Sequence, residues 1–318
     1  MRPRHSDAVI VHALGGATMG TTWSVKIVAP DGADTTKLSK AIEIELDIVD
    51  VQMSPWRADS NITRFNDCEA DRWQTIPRDF FKVLSFAQAL AVKTGGAYDP
   101  TAGHLVNLWG FGPPQVNERP PSAEAIADAL TRCGYEKLRL DTKTHTAYQP
   151  GGITLDLSSI AKGFAVDQIA RLLESIGLID YLVEVGGELR GSGMKPDATP
   201  WWVTLETPGA ARETVVALHG LSVATSGEAQ RYFDRDDARY SHTIDPRDGW
   251  PVRNGVVSVT VVGDECMVAD AWATALTVLG PDTGLALAEQ TGVAASMIWR
   301  EGDIREAATS RFAALEQE

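Results

Sequence analysis

Positive charge is what this sequence is shortest of. Its 318 residues carry 29 Lys and Arg against 43 Asp and Glu, a formal net charge of −14. So acidic a chain repels a phosphate polymer, which argues against general nucleic-acid binding and against docking on an anionic membrane. Cysteine is also scarce: Cys68, Cys133 and Cys266 stand far apart, with no C-x-x-C pair. They offer neither a disulfide framework nor zinc spacing, and each reads as a small buried residue or an incidental thiol. No run reaches the roughly 18 uninterrupted apolar residues of a membrane-spanning helix, so no transmembrane segment is expected. The motifs G-x-x-x-x-G-K-S/T, H-E-x-x-H and G-x-S-x-G are absent. Glycines between Gly186 and Gly193 lack G-x-G-x-x-G spacing and open no helix, which argues against a Rossmann fold. Histidines never fall three or four apart. No internal repeat suggests a solenoid or propeller.

The N-terminus, Met1-Arg-Pro-Arg-His, is basic like the start of a signal peptide. The apolar run behind it, Ala8 to Ala13, is short, is broken by His12, and has no cleavage pattern or lipobox cysteine after it. The expectation is a cytoplasmic protein as written, or a periplasmic, membrane-anchored one whose leader has been trimmed.

What is present is an ordinary globular composition, 44% hydrophobic and 23% charged, with room for one large domain or two medium ones. Trp23 to Val28 alternates as a half-buried strand. Residues 36–52, with Leu38, Ile42, Leu46 and Val49, and residues 78–94, ending at Gly95-Gly96, have helical spacing. Ser122 caps a short helix through Leu130. Gly151-Gly152 precedes a strand-like Ile153–Leu157 and a helix from about Ser158 to Ile176. Strands follow at 181–185, 201–206, 214–218, 239–245 and 256–262. A last apolar helix spans Met267–Leu279 and is closed by Gly280-Pro281. Helices and strands mix without strict βαβ alternation, which predicts an α+β fold of mostly antiparallel sheets with packed helices. The Pro-rich stretch 112–121 is the best internal boundary, and a weak one. The chain is read as one catalytic unit.

Four stretches exceed what composition explains. Asp156-Leu-Ser-Ser-Ile-Ala-Lys162-Gly163 lies at a strand-to-helix junction, where free N–H groups and Lys162 suit an anion such as pyrophosphate. Asp156 there either caps the helix, takes a metal, or accepts hydrogen bonds from a base or sugar. An ordinary capped helix with a solvated lysine accounts for the same residues. Asp270 and Thr274, four apart in an apolar helix, project from one face. Their oxygens suit Mg2+; equally, Asp270 ends up near a helix start and Thr274 bonds a carbonyl one turn back. Ser241-His242-Thr-Ile-Asp245-Pro246 either presents an imidazole base or is a structural histidine followed by good turn chemistry. Thr94-Gly-Gly-Ala-Tyr98-Asp99-Pro100, with Trp109-Gly-Phe-Gly-Pro behind it, reads as turns with packed aromatics, or as a loop that stacks a planar ligand.

Taken together and in order, these residues resemble the ApbE family of FAD:protein FMN transferases. The resemblance is carried by Thr18-Met19-Gly20-Thr21, Met53-Ser54-Pro-Trp56-Arg57-Ala-Asp59-Ser60, Gly96-Ala-Tyr-Asp99-Pro100, Trp109-Gly-Phe-Gly and Asp156 through Lys162-Gly163. Gly186-Gly187, Ala224-Thr-Ser226-Gly227, Tyr240-Ser-His242-Thr-Ile-Asp245-Pro246 and Ala269-Asp270-Ala-Trp-Ala-Thr274 complete it, so it covers about residues 15–280. It implies a T-fold-like α+β enzyme over 15–318, with residues 1–14 as an N-terminal extension. That enzyme would bind FAD and Mg2+, split the flavin's pyrophosphate, attach FMN through a phosphoester to a Thr or Ser of a target flavoprotein, and release AMP. The implied acceptors are redox-pump subunits or flavin reductases. By motif, Met19, Trp56, Ala97, Tyr98, Asp99, Asp156, Lys162 and Ile244 are implied FAD contacts. Asp270, Thr274 and a backbone oxygen at or next to Ser159 are implied metal ligands, with His242 the candidate to activate the acceptor hydroxyl. Trp56 stands where Tyr is common, Asn61 where Glu is frequent and Ala273 where Ser is frequent, which bears on substrate handling rather than reaction class. A Mg2+-dependent FAD pyrophosphatase and a non-catalytic flavin carrier are the alternatives.

Overall fold

Met19 and Gly20 both have positive φ, 45° and 71°, the backbone shape of a tight two-residue hairpin turn. They join β1 (Val9–Thr18) to β2 (Thr21–Pro30) in continuous antiparallel register, from Val9 opposite Pro30 to Thr18 opposite Thr21. The computed structural model describes residues 8–113, 119–205, 214–227, 232–235 and 238–315. After the hairpin come α1 (Thr35–Met53), α2 (Asn61–Asn66), β3 (Arg72–Thr75), α3 (Arg78–Lys93), α4 (Gly103–Leu108) and α5 (Ala123–Thr131). Then follow β4 (Arg139–Asp141), β5 (Thr146–Gln149), α6 (Ala161–Ser175), β6 (Tyr181–Val185), β7 (Glu188–Ser192), β8 (Trp201–Thr204), β9 (Val215–Leu218) and β10 (Leu221–Gly227). The chain continues through β11 (Tyr232–Arg235), β12 (Ala238–Ser241), β13 (Val256–Gly263), α7 (Cys266–Thr291), β14 (Ala294–Glu301), β15 (Asp303–Ala308) and α8 (Ser310–Leu315).

Eight strands form the main sheet in the order β1-β2-β6-β7-β10-β13-β14-β15, every neighbouring pair antiparallel. The strands therefore lie side by side in the order in which the chain reaches them. Trp23, Val25, Ile27 and Ala29 of β2 alternate into the main core, as a period of two requires. α6 packs on β6 and β7, and α7 on β10 and β13, while α1 packs on α6. On β10 and β13 the facing pair Ala224 and Val261 joins that core. The adjacent pair Val223 and Val262 faces the other way, onto a second cluster with Trp201, Leu218 and Phe312. A third cluster gathers Leu105, Trp109, Ile126, Ala129, Cys133 and Ile244. Each fully buried Leu, Ile, Val or Phe in these clusters is worth roughly 1.5–3 kcal/mol over its exposed state.

The fold is α+β with antiparallel pairing, as the sequence predicts. Cys133 and Cys266 are buried, Cys68 is half-buried, and all three are free thiols. Among the described residues no helix is long and apolar enough to cross a membrane. Helix bounds match closely for α1, α3 and α5, and Ser122 accepts from the Ala125 N–H as the expected cap.

Other expectations are corrected. Ile153–Leu157 is not a strand and contributes only an isolated bridge, Thr154 to Ala102. The Asn66 side-chain amide takes the place of a neighbouring strand, donating to Leu155 O at 3.0 Å and accepting from Leu155 N at 2.7 Å. α6 starts at Ala161 rather than Ser158, because Asp156 accepts from the Ser158 N–H and closes a turn there. α7 resumes after Gly280 (φ 76°, ψ 178°) and Pro281, so Gly280-Pro281 kinks the element instead of ending it. β1, β7, β10, β14 and β15 carry no expectation in the sequence analysis. Residues 9–14, expected within an N-terminal extension, lie in β1; residues 1–7 of that extension are outside the described residues. So are 114–118 of the Pro-rich stretch and position 206 of an expected strand.

Candidate active site

The site is built where α6 and α7 begin. Asp270 lies one turn into α7 and is buried. Its Oδ2 accepts from the Gly163 N–H of α6 at 2.9 Å. Oδ1 takes no hydrogen bond from the described residues and is not sealed from solvent. Only glycine permits this approach: a Cβ at position 163 would stand 2.4 Å from Cys266 O and 2.8 Å from Asp270 Cβ. Burial pushes the Asp270 carboxyl above its usual range, opposed by the Lys162 charge and the Gly163 N–H. Thr274 is half-buried one turn further along α7, where i, i+4 spacing turns it to the Asp270 face.

Lys162, next to Gly163, extends toward the sheet. Its Nζ bonds Glu188 Oε1 at 2.6 Å and makes a long 3.5 Å contact with Gly186 O. Burial raises the Glu188 carboxyl to about 8, with the Asp270 charge adding and the Lys162 charge opposing. Glu188 Oε2 is buried without a hydrogen-bond partner. For Lys162, burial works against the ammonium, yet Glu188 and Asp270 together raise its pKa. Gly186, at φ 58° in the turn between β6 and β7, lets this happen: a Cβ there would meet Thr21 Cγ2 at 2.9 Å and Lys162 Cδ at 3.2 Å. Lys162 thus runs beside the tip of the β1–β2 hairpin, which carries Met19. Met19 itself, half-buried in its left-handed turn, lines an open cleft of about 220 Å³ with Trp23, Leu46, Glu43, Asp47 and Asp50.

Ser159 Oγ donates to the Tyr98 hydroxyl at 3.1 Å, and the Asp156 N–H donates to Pro100 O at 2.9 Å, tying the 94–100 loop to the α6 junction. Burial holds the Tyr98 hydroxyl well above its normal range. Asp99 spends both oxygens inside the protein: Oδ1 accepts from Thr101 N and Oγ1 at 2.8 and 2.7 Å, and Oδ2 from Tyr135 N at 3.0 Å. Burial raises its pKa and those bonds pull it back. Ala97 is buried beside it. Position 96 faces Tyr135 and the Arg247 stem, and Arg247 pairs with Asp245 at 2.6 Å. Ile244 sits in the third cluster with Trp109, whose Nε1 donates to Gly249 O at 2.8 Å and whose ring stacks on Tyr240 at 5.5 Å. The His242 ring meets Phe111 edge-on at 6.3 Å.

The candidate residues therefore fall into two neighbouring groups. Asp270, Thr274, Lys162, Ser159, Tyr98 and Asp156 gather around the start of α6, while Met19 lines its cleft at the tip of the neighbouring hairpin. Asp99, Ala97, Ile244 and His242 belong to the loop-and-aromatic side. Trp56 is 46% exposed and enters none of these bonds; its neighbour Arg57 instead bridges Asp47, Asp50 and Asp59. Glu188 is absent from the residues the sequence points to, because its burial shows only through the hairpin register. Val183 and Val185 alternate inward on β6, and the hairpin register places Glu188 opposite Val185, on the same buried face.

Among the described residues no three His, Cys, Asp or Glu side chains gather as a metal cage. What the site offers is a carboxylate with one open oxygen and a hydroxyl on the same helical face. Such a donor set fits a hard cation that completes its shell with phosphate oxygens and water.

Comparison with known proteins places the chain in a family. The ApbE family matches residues 19–297. An FAD:protein FMN transferase of Haemophilus influenzae is 39% identical over 301 residues, covering 91% of this chain and 87% of that protein. The flavinyl transferase ApbE of Pseudomonas stutzeri, in its apo form, superposes with a TM-score of 0.90 at 40% identity, covering 98% of both chains. The flavin transferase ApbE of Vibrio cholerae gives 0.90 at 37% identity, over 96% of this chain and 99% of its own.

Proposed function

This chain belongs to the ApbE family, and we propose from that premise that it transfers FMN from FAD to a hydroxyl of an acceptor protein. The observation that carries the proposal is the buried Asp270 carboxylate, held by the Gly163 N–H at the start of α6 with Lys162 beside it. A carboxylate and an ammonium at a helix N-terminus suit a bridging cation and the pyrophosphate of FAD.

In the proposed reaction the acceptor's Thr or Ser oxygen attacks the phosphorus of the FMN half. A P–O bond forms there, the bond from that phosphorus to the bridging oxygen breaks, and AMP leaves with the bridging oxygen. His242 takes the hydroxyl proton as the bond forms, a contribution of roughly 10²–10⁴-fold for a well-placed base. Lys162 and the amides at the start of α6 would hold the pyrophosphate, and Asp270, Thr274 and a main-chain oxygen at or next to Ser159 would hold Mg2+. A cation held there would supply Lewis-acid polarisation of the phosphoryl oxygens and offset charge on the departing AMP. Met19, Trp56, Ala97, Tyr98, Asp99, Asp156 and Ile244 orient the dinucleotide, since phosphoryl transfer asks the protein mainly for positioning and charge. A redox-pump subunit or a flavin reductase is the acceptor class proposed.

The test incubates the protein with FAD and Mg2+, with and without a candidate acceptor, and reads in-gel flavin fluorescence and released AMP. A fluorescent acceptor band with equimolar AMP is expected. Free FMN and AMP without a band mean water is the acceptor, and intact bound FAD means a carrier. Asp270→Ala is expected to lose activity by about 10²-fold or more, the scale of removing one preorganised electrostatic group. Unchanged turnover in that variant would sink the assignment of Asp270 to the metal.

A further inference from the structure

α6 and α7 are joined by reciprocal hydrogen bonds. The Gly163 N–H of α6 donates to Asp270 of α7. In return, Asp167, one turn further along α6, accepts from the first two N–H groups of α7: Cys266 N to Oδ1 at 3.0 Å and Met267 N to Oδ2 at 2.9 Å. The spacing is the same in both directions, four residues from 163 to 167 and four from 266 to 270. Each helix thus offers backbone amides to a carboxylate on the other, one from α6 and two from α7, and the three bonds close a ring across the contact where Gly163 lacks a side chain. Asp167 was not among the residues the sequence singled out, and the reaction described above gives it no task.

We infer that Asp167 is a positioning residue, which locks the start of α7 onto α6 and so sets the Asp270 carboxylate where the cation is held. The inference rests on the reading of Asp270 as a metal ligand. Capping alone is a poor account of Asp167. The residue that precedes α7, Glu265, makes no side-chain cap and pairs with Lys82 at 3.1 Å instead. A local Ser or Asp at that position would satisfy the helix start without burying a charge. The chain instead buries the Asp167 carboxylate completely and supplies Arg190 to compensate it, at 2.9 Å. Arg190 also donates to Asp264 O, the residue before Glu265, at 3.0 Å, which fixes the entry to α7 from a third direction. This arrangement is held at a cost, since Arg190 Nε is buried with no hydrogen-bond partner. A buried ion pair is weak evidence of stability and is well suited to fixing one register. Groups that orient a metal ligand from behind change metal affinity or activity by roughly 10–100-fold when removed.

The experiment compares wild type, Asp167→Asn and Asp270→Asn as full-length protein, with Mn2+ as a paramagnetic probe followed by EPR in the absence of FAD. Turnover against Mg2+ and thermal midpoints are measured alongside. In Asp167→Asn, Mn2+ affinity is expected to fall and half-saturating Mg2+ to rise, each by roughly 10–100-fold, while KM for FAD at saturating Mg2+ holds. Asp270→Asn is expected to lose Mn2+ binding altogether. A folded Asp167→Asn with a lowered midpoint and wild-type metal affinity overturns the inference, because a merely structural cap behaves that way. Unchanged Mn2+ binding in Asp270→Asn overturns the metal reading first and the inference with it. Should Asp167→Asn fail to fold, Arg190→Gln leaves the carboxylate in place and frees it from its partner. It is expected to shift metal affinity in the same direction by less, and wild-type affinity there overturns the inference as well.

Discussion

Glu188 is the residue whose environment conflicts most with its charge. It is buried on the inner face of β7, with one oxygen on Lys162 and the other without a partner, and its pKa stands at about 8 against 4.5 for a free side chain. Between those two values the folded chain binds a proton that the unfolded chain has released. Stability must therefore fall as pH rises from about 4.5 through 8, and remain lower above that. Lys162 does not disturb this window, because a raised lysine pKa keeps its contribution complete below its free value of 10.5. Glu188→Gln cannot ionise and removes this part of the slope. In protein free of metal and FAD, the thermal midpoint of wild type relative to Glu188→Gln is expected to be higher at pH 5 than at pH 9. A difference that is flat with pH, or that grows toward alkaline pH, would contradict the raised carboxyl. If the proposed cation sits at Asp270, it weakens the repulsion that helps raise Glu188, and the same comparison with Mg2+ and FAD present should show a smaller slope.

At the scale of elements, function and local geometry meet in the β1–β2 turn. A non-glycine residue at φ 45° costs about 1–2 kcal/mol in the left-handed region, and Met19 bears that cost at the mouth of the cleft it lines. Asn before Gly20 is the preferred pair for this turn. Met19→Asn is expected to stabilise the protein by up to about 1 kcal/mol and to raise KM for FAD. A denaturant melt and a KM measurement check the two halves separately, and a variant that gains stability with KM unchanged removes Met19 from the binding surface. The same contrast explains which elements were legible in the sequence. α1, α3 and α5 announce themselves by apolar spacing and by caps or stops such as Ser122 and Gly95-Gly96, all of them local signals. β1, with its mixed V-I-V-H-A-L-G-G, has no buried face of its own and exists because β2 pairs with it. Ile153–Leu157 has the composition of a strand, but Asn66, distant in sequence, meets its backbone groups with a side chain. The site divides in the same way. Asp270, Lys162 and Tyr98 stood out because polar groups sit there among apolar or glycine-rich neighbours. Asp167 and Glu188 resemble solvated charges on regular elements until the partner helix and the hairpin register are known.

At the scale of the whole molecule, net charge and chain order decide how the site is made. In the proposed site the −14 of the sequence is offset locally, by Lys162, the start of α6 and the proposed cation beside Asp270. Those residues are brought there by the full length of the chain. The main core draws on Trp23 and Ile27 near one end, Phe80 and Leu84 of α3, Phe164 and Ile169 of α6, and Met297 of β14 near the other. β2 is an interior strand whose second neighbour, β6, arrives about 150 residues later, and the Tyr98 loop, besides its bonds to the end of α3, is fastened to Ser159 across the Pro-rich stretch. A division at that stretch would leave the first part with an open β2 edge and the apolar faces of α1 and α3 uncovered. The second part would lose the helix that covers α6 and the hairpin that completes the sheet. If the chain is one unit, two fragments divided within 114–118 and expressed separately will each lack a cooperative thermal transition, because neither holds enough of the shared core to offset its conformational entropy. Calorimetry on the separate fragments decides it. A fragment that melts cooperatively on its own, at a midpoint near that of the intact protein, would show two modules, and the Pro-rich stretch would then be a true domain boundary.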